Sequence, residues 1–285
     1  MNNLKKNYLK KQIKFVCDIE MKSLKPGNVH KYSNSFDMDT RDFFKSSLII
    51  SRTLTEKKFN LGEKIFFSAE KIKNKIKKNT NLGIILMLAP IIKIVENEGI
   101  INKKKLVAKI KYLIKKQDIN NSINIYKAIS LTSPGGLGCS KKYDVNELPK
   151  TKLYKVMRFA KNKDLISKQY YNGYKEITNI GLPTYKKFYK KWGKIEWAFT
   201  GVYLNFLRKF NDSHIVRRNG LKIAKKVRND ANKYYNILEN DNKLIKIKEK
   251  LLIFDKELKS KHINPGTMAD LSVATVFFEL VTKKQ

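Results

Sequence analysis

The amino-acid sequence predicts an all-α protein, a single bundle of roughly ten or more helices with its functional site at one end. Three observations carry this prediction. Apolar residues recur at helical spacing along nearly the whole chain. Strand-like alternation joined by Asn-Gly or Asp-Gly hairpin turns is missing. Between Asn81 and Val95 apolar residues occupy every face, which is typical of a helix at the centre of a bundle.

The first predicted helix carries Tyr8 and Ile19 and stops before 25–27, because proline and glycine end helices. The second begins near Asp39, where Asp39 and Asp42 stand at the N-cap and N3 positions. No internal repeat or low-complexity linker interrupts the chain, so residues 1–285 are predicted to form one domain. The remaining helices are predicted near 61–76, 81–95, 103–116, 118–131, 151–161, 164–179, 184–210, 220–238, 241–260 and 267–282.

The composition excludes several classes of protein. A chain of 285 residues with 42% hydrophobic residues can bury a core, so disorder is excluded as the main state. The longest uncharged run, 79–92, is shorter than the roughly 20 residues of a membrane helix. The basic N-terminus lacks an apolar signal region, so a cytoplasmic protein is expected. The two cysteines, Cys17 and Cys139, form neither a disulfide framework nor a CxxC metal site.

A net charge of +36 raises the question of a nucleic-acid partner. Only seven of the 61 basic residues are Arg, the residue that binds phosphate bidentately, and the lysines are spread over the whole chain. The sequence therefore favours a solvated lysine surface over a nucleic-acid interface. Part of the charge is still available for a polyanionic small molecule.

Six polar or glycine-rich segments stand at the predicted helix ends. Glycine leaves the backbone N–H groups of a helix N-terminus open to anions, and nearby carboxylates can hold a hard cation such as Mg²⁺. The combination suits a nucleotide phosphate. The segments are 25–30, 35–39, 79–83, 133–138, 212–218 and 264–270.

Each segment also has a purely structural interpretation. A Pro-Gly pair is commonly only a turn, Asp39 can be only an N-cap, and Asp37 can form an Asx-turn. Asn79 and Asn81 can cap the central helix as well as bind a ligand. The three histidines lack the spacing of a zinc site.

The order of these motifs resembles the triphosphoribosyl-dephospho-CoA synthase family, in its archaeal-type, one-carbon-metabolism-associated branch. The resemblance runs from Glu20 to about Phe277. The citrate-lyase branch reads N-T-H-K-G where this chain reads N-T-N-L-G, which replaces an imidazole and an ammonium group. The motifs are K-P-G-N-V-H at 25–30, D-M-D at 37–39, N-T-N-L-G at 79–83, P-G-G-L-G at 134–138, D-L-I-x-x-Q-Y at 164–170, D-S-H-I-x-R at 212–217 and N-P-G-T-x-A-D-L at 264–271.

The resemblance implies an all-helical enzyme that transfers the 5-triphosphoribosyl group of ATP to a ribose hydroxyl of dephospho-CoA, or of a related acceptor, and releases adenine. Mg²⁺ would be the cofactor and ATP the co-substrate. Asp37 and Asp39, two residues apart across a loop and a helix start, are the expected Mg²⁺ ligands.

The remaining site residues follow from what this chemistry requires. The acceptor hydroxyl needs a general base, for which Asp270 is the first choice and Glu20 and Asp144 are alternatives. His214, with an ordinary pKa near 6.5, is a candidate for contacting adenine or the acceptor and for acid catalysis. The residues expected to bind the nucleotide are Lys25, Gly27, His30, Asn79, Asn81, Gly135, Gly136, Arg217 and Arg218.

Two other functions remain open from the sequence. One is an all-α, Mg²⁺-dependent nucleotide hydrolase, in which water replaces the acceptor. The other is a basic nucleic-acid-binding protein. A homodimer is left open, and no membrane partner is expected.

Overall fold

The protein is described here from a computed structural model that covers residues 3–33, 40–77 and 81–282. Within these ranges the chain forms α-helices and contains no β-strand, which confirms the all-α prediction. No helix in the described part of the chain is both long and apolar enough to cross a bilayer. The helices are α1 Asn3–Lys22, α2 Thr40–Leu54, α3 Leu61–Ile76, α4 Leu82–Glu98, α5 Lys103–Lys116, α6 Ile119–Thr132, α7 Leu153–Ala160, α8 Leu165–Asn172, α9 Leu182–Trp192, α10 Ile195–Lys209, α11 Ser213–Asn219, α12 Leu221–Asn240, α13 Leu244–Ser260 and α14 Gly266–Leu280.

The core is built around α4, which is buried on all faces as predicted. Helix α14 is also buried nearly throughout and packs against α4, α10 and α1. Apolar residues on every face leave these two helices no side that is suited to water. The polar start of each is therefore the part that can reach a ligand.

Pro90 lies inside α4 and lacks the N–H that would otherwise bond to the carbonyl of Leu86. The buried hydroxyl of Tyr170 donates to that carbonyl at 2.6 Å, and Tyr174 donates to the next one, Met87, at 2.7 Å. A buried carbonyl without a partner would be destabilising. These two tyrosines therefore allow the central helix to keep its proline, and they fix α8 and the following turn against α4.

Three segments differ from the sequence prediction. The predicted helix 164–179 ends at Asn172, because Gly173 adopts φ +71°, and a π-helical turn, Ile177–Gly181, then leads into α9. The predicted helix 184–210 is two helices separated at Gly193, which has φ +61°. Segment 212–218, predicted as a loop, contains the short helix α11. Left-handed glycines end helices in this way because they carry no Cβ.

Candidate active site

A cavity of about 860 Å³ lies at one end of the bundle. Small-molecule sites in proteins have volumes of about 300–1,000 Å³. The starts of α4, α11 and α14 meet the 133–145 loop in its wall. Segments far apart in sequence therefore share one cavity. The sequence-predicted site residues that line it are Glu20, Gly27, Asn81, Gly135, Asp144, His214, Arg217, Arg218 and Asp270.

Some predicted site residues lie elsewhere. Lys25, His30 and Gly136 are close to the cavity in sequence but do not line it. Asp37 and Asp39, the predicted Mg²⁺ ligands, and Asn79 lie outside the described residues.

Two carboxylates, Glu20 from α1 and Asp270 from the N-terminal part of α14, form what we call the acidic floor of the cavity. Gly83 in the first turn of α4 lies directly against Asp270, and a Cβ at Gly83 would be 1.9 Å from its Oδ2. Burial, followed by the charges of Glu20 and Asp212, raises the pKa of Asp270 well above its ordinary value. A buried carboxyl with a raised pKa inside a cavity is a candidate for proton transfer.

Lys25 stabilises the acidic floor by pairing with Glu20, although it does not itself line the cavity. Its ammonium is completely buried and forms an ion pair with Glu20. Burial lowers the pKa of Lys25, an effect that the nearby carboxylates oppose. The predicted phosphate contact through Lys25 does not fit this position, because the ammonium faces Glu20 and not the cavity.

The Lys-Pro-Gly turn is fixed by buried hydrogen bonds. Gly27, with φ +84°, donates its N–H to Asp255 Oδ1 at 2.8 Å, so this amide is not open to a phosphate. The same carboxylate lies 3.2 Å from His30 Nε2 and accepts a bond from Lys259 at 3.0 Å. His30 is completely buried, and burial lowers the pKa of its imidazole. In this position His30 supports the turn behind the cavity wall and has no direct path to a nucleotide.

Asp212 joins the N-termini of α11 and α14. Its Oδ1 accepts hydrogen bonds from the amides of His214 at 2.7 Å and Ile215 at 3.0 Å, and its Oδ2 accepts one from Met268 at 2.9 Å. Burial raises the pKa of this carboxyl to about 6, although its three backbone hydrogen bonds oppose the shift. One side chain thus holds together the helices that carry His214 and Asp270.

His214 is held as a neutral imidazole. Burial, followed by the charges of Arg217 and Arg218, lowers its pKa to about 4. Its Nδ1 lies 3.0 Å from the carbonyl of Asn264, which can only accept, so Nδ1 carries the hydrogen and Nε2 is an acceptor. The predicted acid catalysis by His214 is therefore not supported at neutral pH. A hydrogen bond accepted from a substrate is the role that fits.

The cavity is also lined by cationic side chains, a set that we call the basic rim. Arg217 donates to Asp164 at 3.0 Å, while its buried Nε has no hydrogen-bond partner among the described residues. Arg218 is exposed and packs against Gly135, where a Cβ would be 3.3 Å from the guanidinium Nε. The glycine loop and the arginine pair, both predicted to bind phosphate, are thus in direct contact. The rim residues are Lys142, Lys163, Arg217 and Arg218.

Asn81 and Asp144 already have protein partners. Asn81 stands at the N-cap of α4 but makes no side-chain cap, and its amide group donates to Ser46 in α2. Asp144 accepts hydrogen bonds from the amides of Ser140 and Asn146, which lower its pKa. Both oxygens of Asp144 thus order the loop, and this makes it the weakest of the three predicted bases.

Sequence reasoning assigned no role to Asp212, Asp255 or Lys259. The sequence contains a signal for the position of Asp212, since an Asp immediately before the first residue of a helix is a typical N-cap. Asp255 and Lys259 had none, because they lie in the middle of a lysine-rich helix and reach the site only through the packing of α13.

The described residues contain no group of three or more His, Cys, Asp or Glu side chains that could hold a metal ion. They therefore do not form a complete metal site on their own. The Mg²⁺ prediction depends on Asp37 and Asp39, outside the described ranges.

Fold and cavity together define a class: an all-helical protein with one small-molecule-sized cavity that is lined by both the basic rim and the acidic floor. Comparison with known proteins identifies the family. The sequence model of the ATP:dephospho-CoA triphosphoribosyl transferase family matches residues 8–285, and the chain belongs to this family.

Two relatives agree with this assignment. A Streptococcus mutans protein named as a candidate 2-(5''-triphosphoribosyl)-3'-dephosphocoenzyme-A synthase is 30% identical over 109 residues, which are 38% of this chain and 36% of that protein. The match therefore spans little more than a third of the relative's length. A crystal structure of a candidate triphosphoribosyl-dephospho-CoA synthase from Archaeoglobus fulgidus has a TM-score of 0.64 at 20% identity, covering 83% of this chain and 97% of that chain. This structural likeness shows the shared fold.

Proposed function

We propose that the protein transfers the 5-triphosphoribosyl group of ATP to a ribose hydroxyl of dephospho-CoA, or of a related acceptor, and releases adenine. The observation that carries the proposal is that the acidic floor and the basic rim line one cavity of nucleotide size. Family membership supplies the donor and the acceptor.

The reaction breaks the bond between C1′ of the ATP ribose and N9 of adenine, and forms a bond between C1′ and the acceptor oxygen. The bonding electrons leave with adenine, and positive charge develops on the ribose, as in glycoside hydrolysis. The basic rim binds the triphosphate through charge-assisted hydrogen bonds. The Glu20 carboxylate, held in its ion pair with Lys25, stabilises the developing positive charge.

The two carboxyl groups suit different proton transfers. The raised pKa of Asp270 favours its protonated form, which can donate to the departing adenine. Glu20, held against Lys25, accepts the proton of the acceptor hydroxyl. This assignment replaces the sequence-based choice of Asp270 as the base. His214 accepts a hydrogen bond from a substrate through Nε2.

Mg²⁺ belongs to the proposal as the ion that would accompany the triphosphate, with Asp37 and Asp39 as its proposed ligands.

The proposal is tested by incubating the purified protein with ATP, Mg²⁺ and dephospho-CoA and separating the products by liquid chromatography and mass spectrometry. Free adenine should appear in equal amount with an adduct one triphosphoribosyl unit heavier than dephospho-CoA. Adenine without the adduct would instead indicate a nucleotide hydrolase. Phosphate release without adenine would contradict both.

A further inference from the structure

A second cleft, of about 840 Å³, lies between α1 and α2. Three residues, Glu20, Phe43 and Asn81, line both this cleft and the first cavity. The two spaces therefore meet at one wall, and Glu20 is the only titratable side chain among the three shared residues.

We propose that the second cleft binds the acceptor substrate, a molecule with a nucleoside diphosphate group and a long, amide-containing arm, while the first cavity binds ATP. The inference rests on the proposed function, because it divides the two substrates of that reaction between two sites. It makes Glu20 the group at which the acceptor hydroxyl meets the ribose of ATP.

The volumes support two separate sites. A space of about 860 Å³ is within the range of a site for one drug-sized ligand. Dephospho-CoA contains an adenosine, a diphosphate and an extended arm, and ATP adds a second nucleotide. A single cavity of this size does not suit both molecules together, whereas two that share a wall do.

The charge of the cleft complements a diphosphate. Lys14 on α1 and Lys45 on α2 are exposed cations in its lining. Lys31 lines the same cleft, while Lys22 there is already paired with Asp18 at 2.6 Å. Lysine ammonium groups on two facing elements can bind a diphosphate from both sides.

The cleft also exposes aromatic surface. Phe15 on α1 is 37% exposed and Phe44 on α2 is 60% exposed, and both line the cleft. Both rings supply flat apolar surface to the lysine-containing cleft. They offer an apolar surface for an adenine ring or for the acceptor arm.

The shared wall allows a balanced transfer. The acceptor hydroxyl gives its proton to Glu20 while its oxygen bonds to C1′ of ATP from the second cleft. The C1′–N9 electrons leave with adenine, which takes a proton from Asp270. Glu20 then holds one proton more and Asp270 one fewer, and a proton passing from Glu20 to Asp270 restores the starting state.

The test uses the full chain carrying Lys14→Gln and Lys45→Gln together. Both lysines are exposed, so the fold should be kept. The KM for dephospho-CoA is expected to rise about tenfold, which corresponds to about 1.4 kcal/mol, while the KM for ATP stays within about twofold. The matched control carries Lys11→Gln and Lys57→Gln, two exposed lysines outside both cavities, and should behave like the wild type.

An unchanged KM for dephospho-CoA, or an equal rise for ATP, would overturn the inference. Calorimetric binding of dephospho-CoA without ATP separates this failure from failure of the proposed function. If the wild type binds dephospho-CoA and the Lys14/Lys45 variant binds it about tenfold more weakly, the cleft is the acceptor site whether or not transfer is observed. Equal binding by both proteins, or no binding to the wild type, would contradict it.

Discussion

Asp270 is the side chain whose protonation bears on both the proposed reaction and the stability of the fold. Its carboxyl lies between Glu20, Asp212 and the first turn of α4, so its ionised form is disfavoured in the folded protein. The unfolded chain has no such restriction, and a carboxyl there titrates near pH 4. As pH rises above that value, the folded state keeps a proton that the unfolded state loses. Asp270 therefore costs stability increasingly as pH rises toward its folded pKa.

Replacing Asp270 by Asn should lower kcat by about 100-fold or more, because the proton for the leaving adenine is lost. The same change should raise thermal stability at pH 8, with the gain shrinking to nothing near pH 4. Steady-state kinetics and melting curves at several pH values measure both effects. Asp230→Asn, at an exposed pair with Lys226 on α12, is the control and should leave kcat unchanged.

A variant with near-normal kcat would remove Asp270 from proton transfer. If Asp270→Asn is less stable than the wild type at pH 8, the folded protein does not disfavour the ionised form of Asp270.

The sequence predicted which residues line the cavity better than it predicted their contacts. Asp270, Glu20, His214 and the arginine pair line the cavity because each stands at or near a helix end that faces it. Lys25 also stands in one of the predicted motifs, yet its buried side chain forms an ion pair with Glu20 and does not line the cavity. A local pattern does not reveal which buried charge needs a partner, since that is decided by helices distant in sequence.

At the scale of helices, Asp212 sets the arrangement of the site, because it accepts hydrogen bonds from amides of two N-termini. Asp212→Asn keeps one oxygen that can accept hydrogen bonds. The other oxygen becomes an NH₂ group, which faces a backbone N–H and cannot accept its hydrogen bond. The unsatisfied buried donor lowers the free energy of unfolding by about 1–3 kcal/mol. Removal of the buried charge, whose pKa is raised in the folded protein, offsets part of this loss at pH 8. A net fall is expected, because three backbone N–H groups bond to this carboxylate. Denaturant unfolding at pH 8, where the wild-type carboxyl with its pKa of about 6 is ionised, measures the change.

Asp118 supplies the matched control. It caps only α6, through the amide of Asn121 at 2.9 Å, and is exposed. Asp118→Asn should cost less than about 1 kcal/mol, because Asn is itself a good N-cap. Equal losses for the two variants would mean that Asp212 is an ordinary cap and does not join α11 to α14.

At the scale of helices, the sequence predicted which segments are helical, but it did not predict where a long helical pattern is broken. Helix α3 and helix α5 match the predicted 61–76 and 103–116, because their apolar periodicity and their Asn N-caps are strong local signals. Gly193 interrupts an apolar pattern that continues on both sides, so periodicity alone joined α9 to α10. The short helix α11 was hidden because seven residues are too few to show a period.

At the scale of the molecule, the net charge of +36 has two different consequences. The lysines spread over the surface attract any polyanion weakly, and salt screens that attraction. The basic rim is different, because its cations converge on one cavity. A specific ATP site therefore predicts dependence on particular residues, whereas a general polycation predicts dependence on total charge alone.

Calorimetric titration of ATP into the wild type, Arg218→Gln and Arg228→Gln tests this claim most directly. Both variants lose one positive charge, but only Arg218 lines the cavity. Arg218→Gln is expected to weaken ATP binding about tenfold, while Arg228→Gln leaves it unchanged. Equal weakening in the two variants, or none in either, would contradict an ATP site at the basic rim.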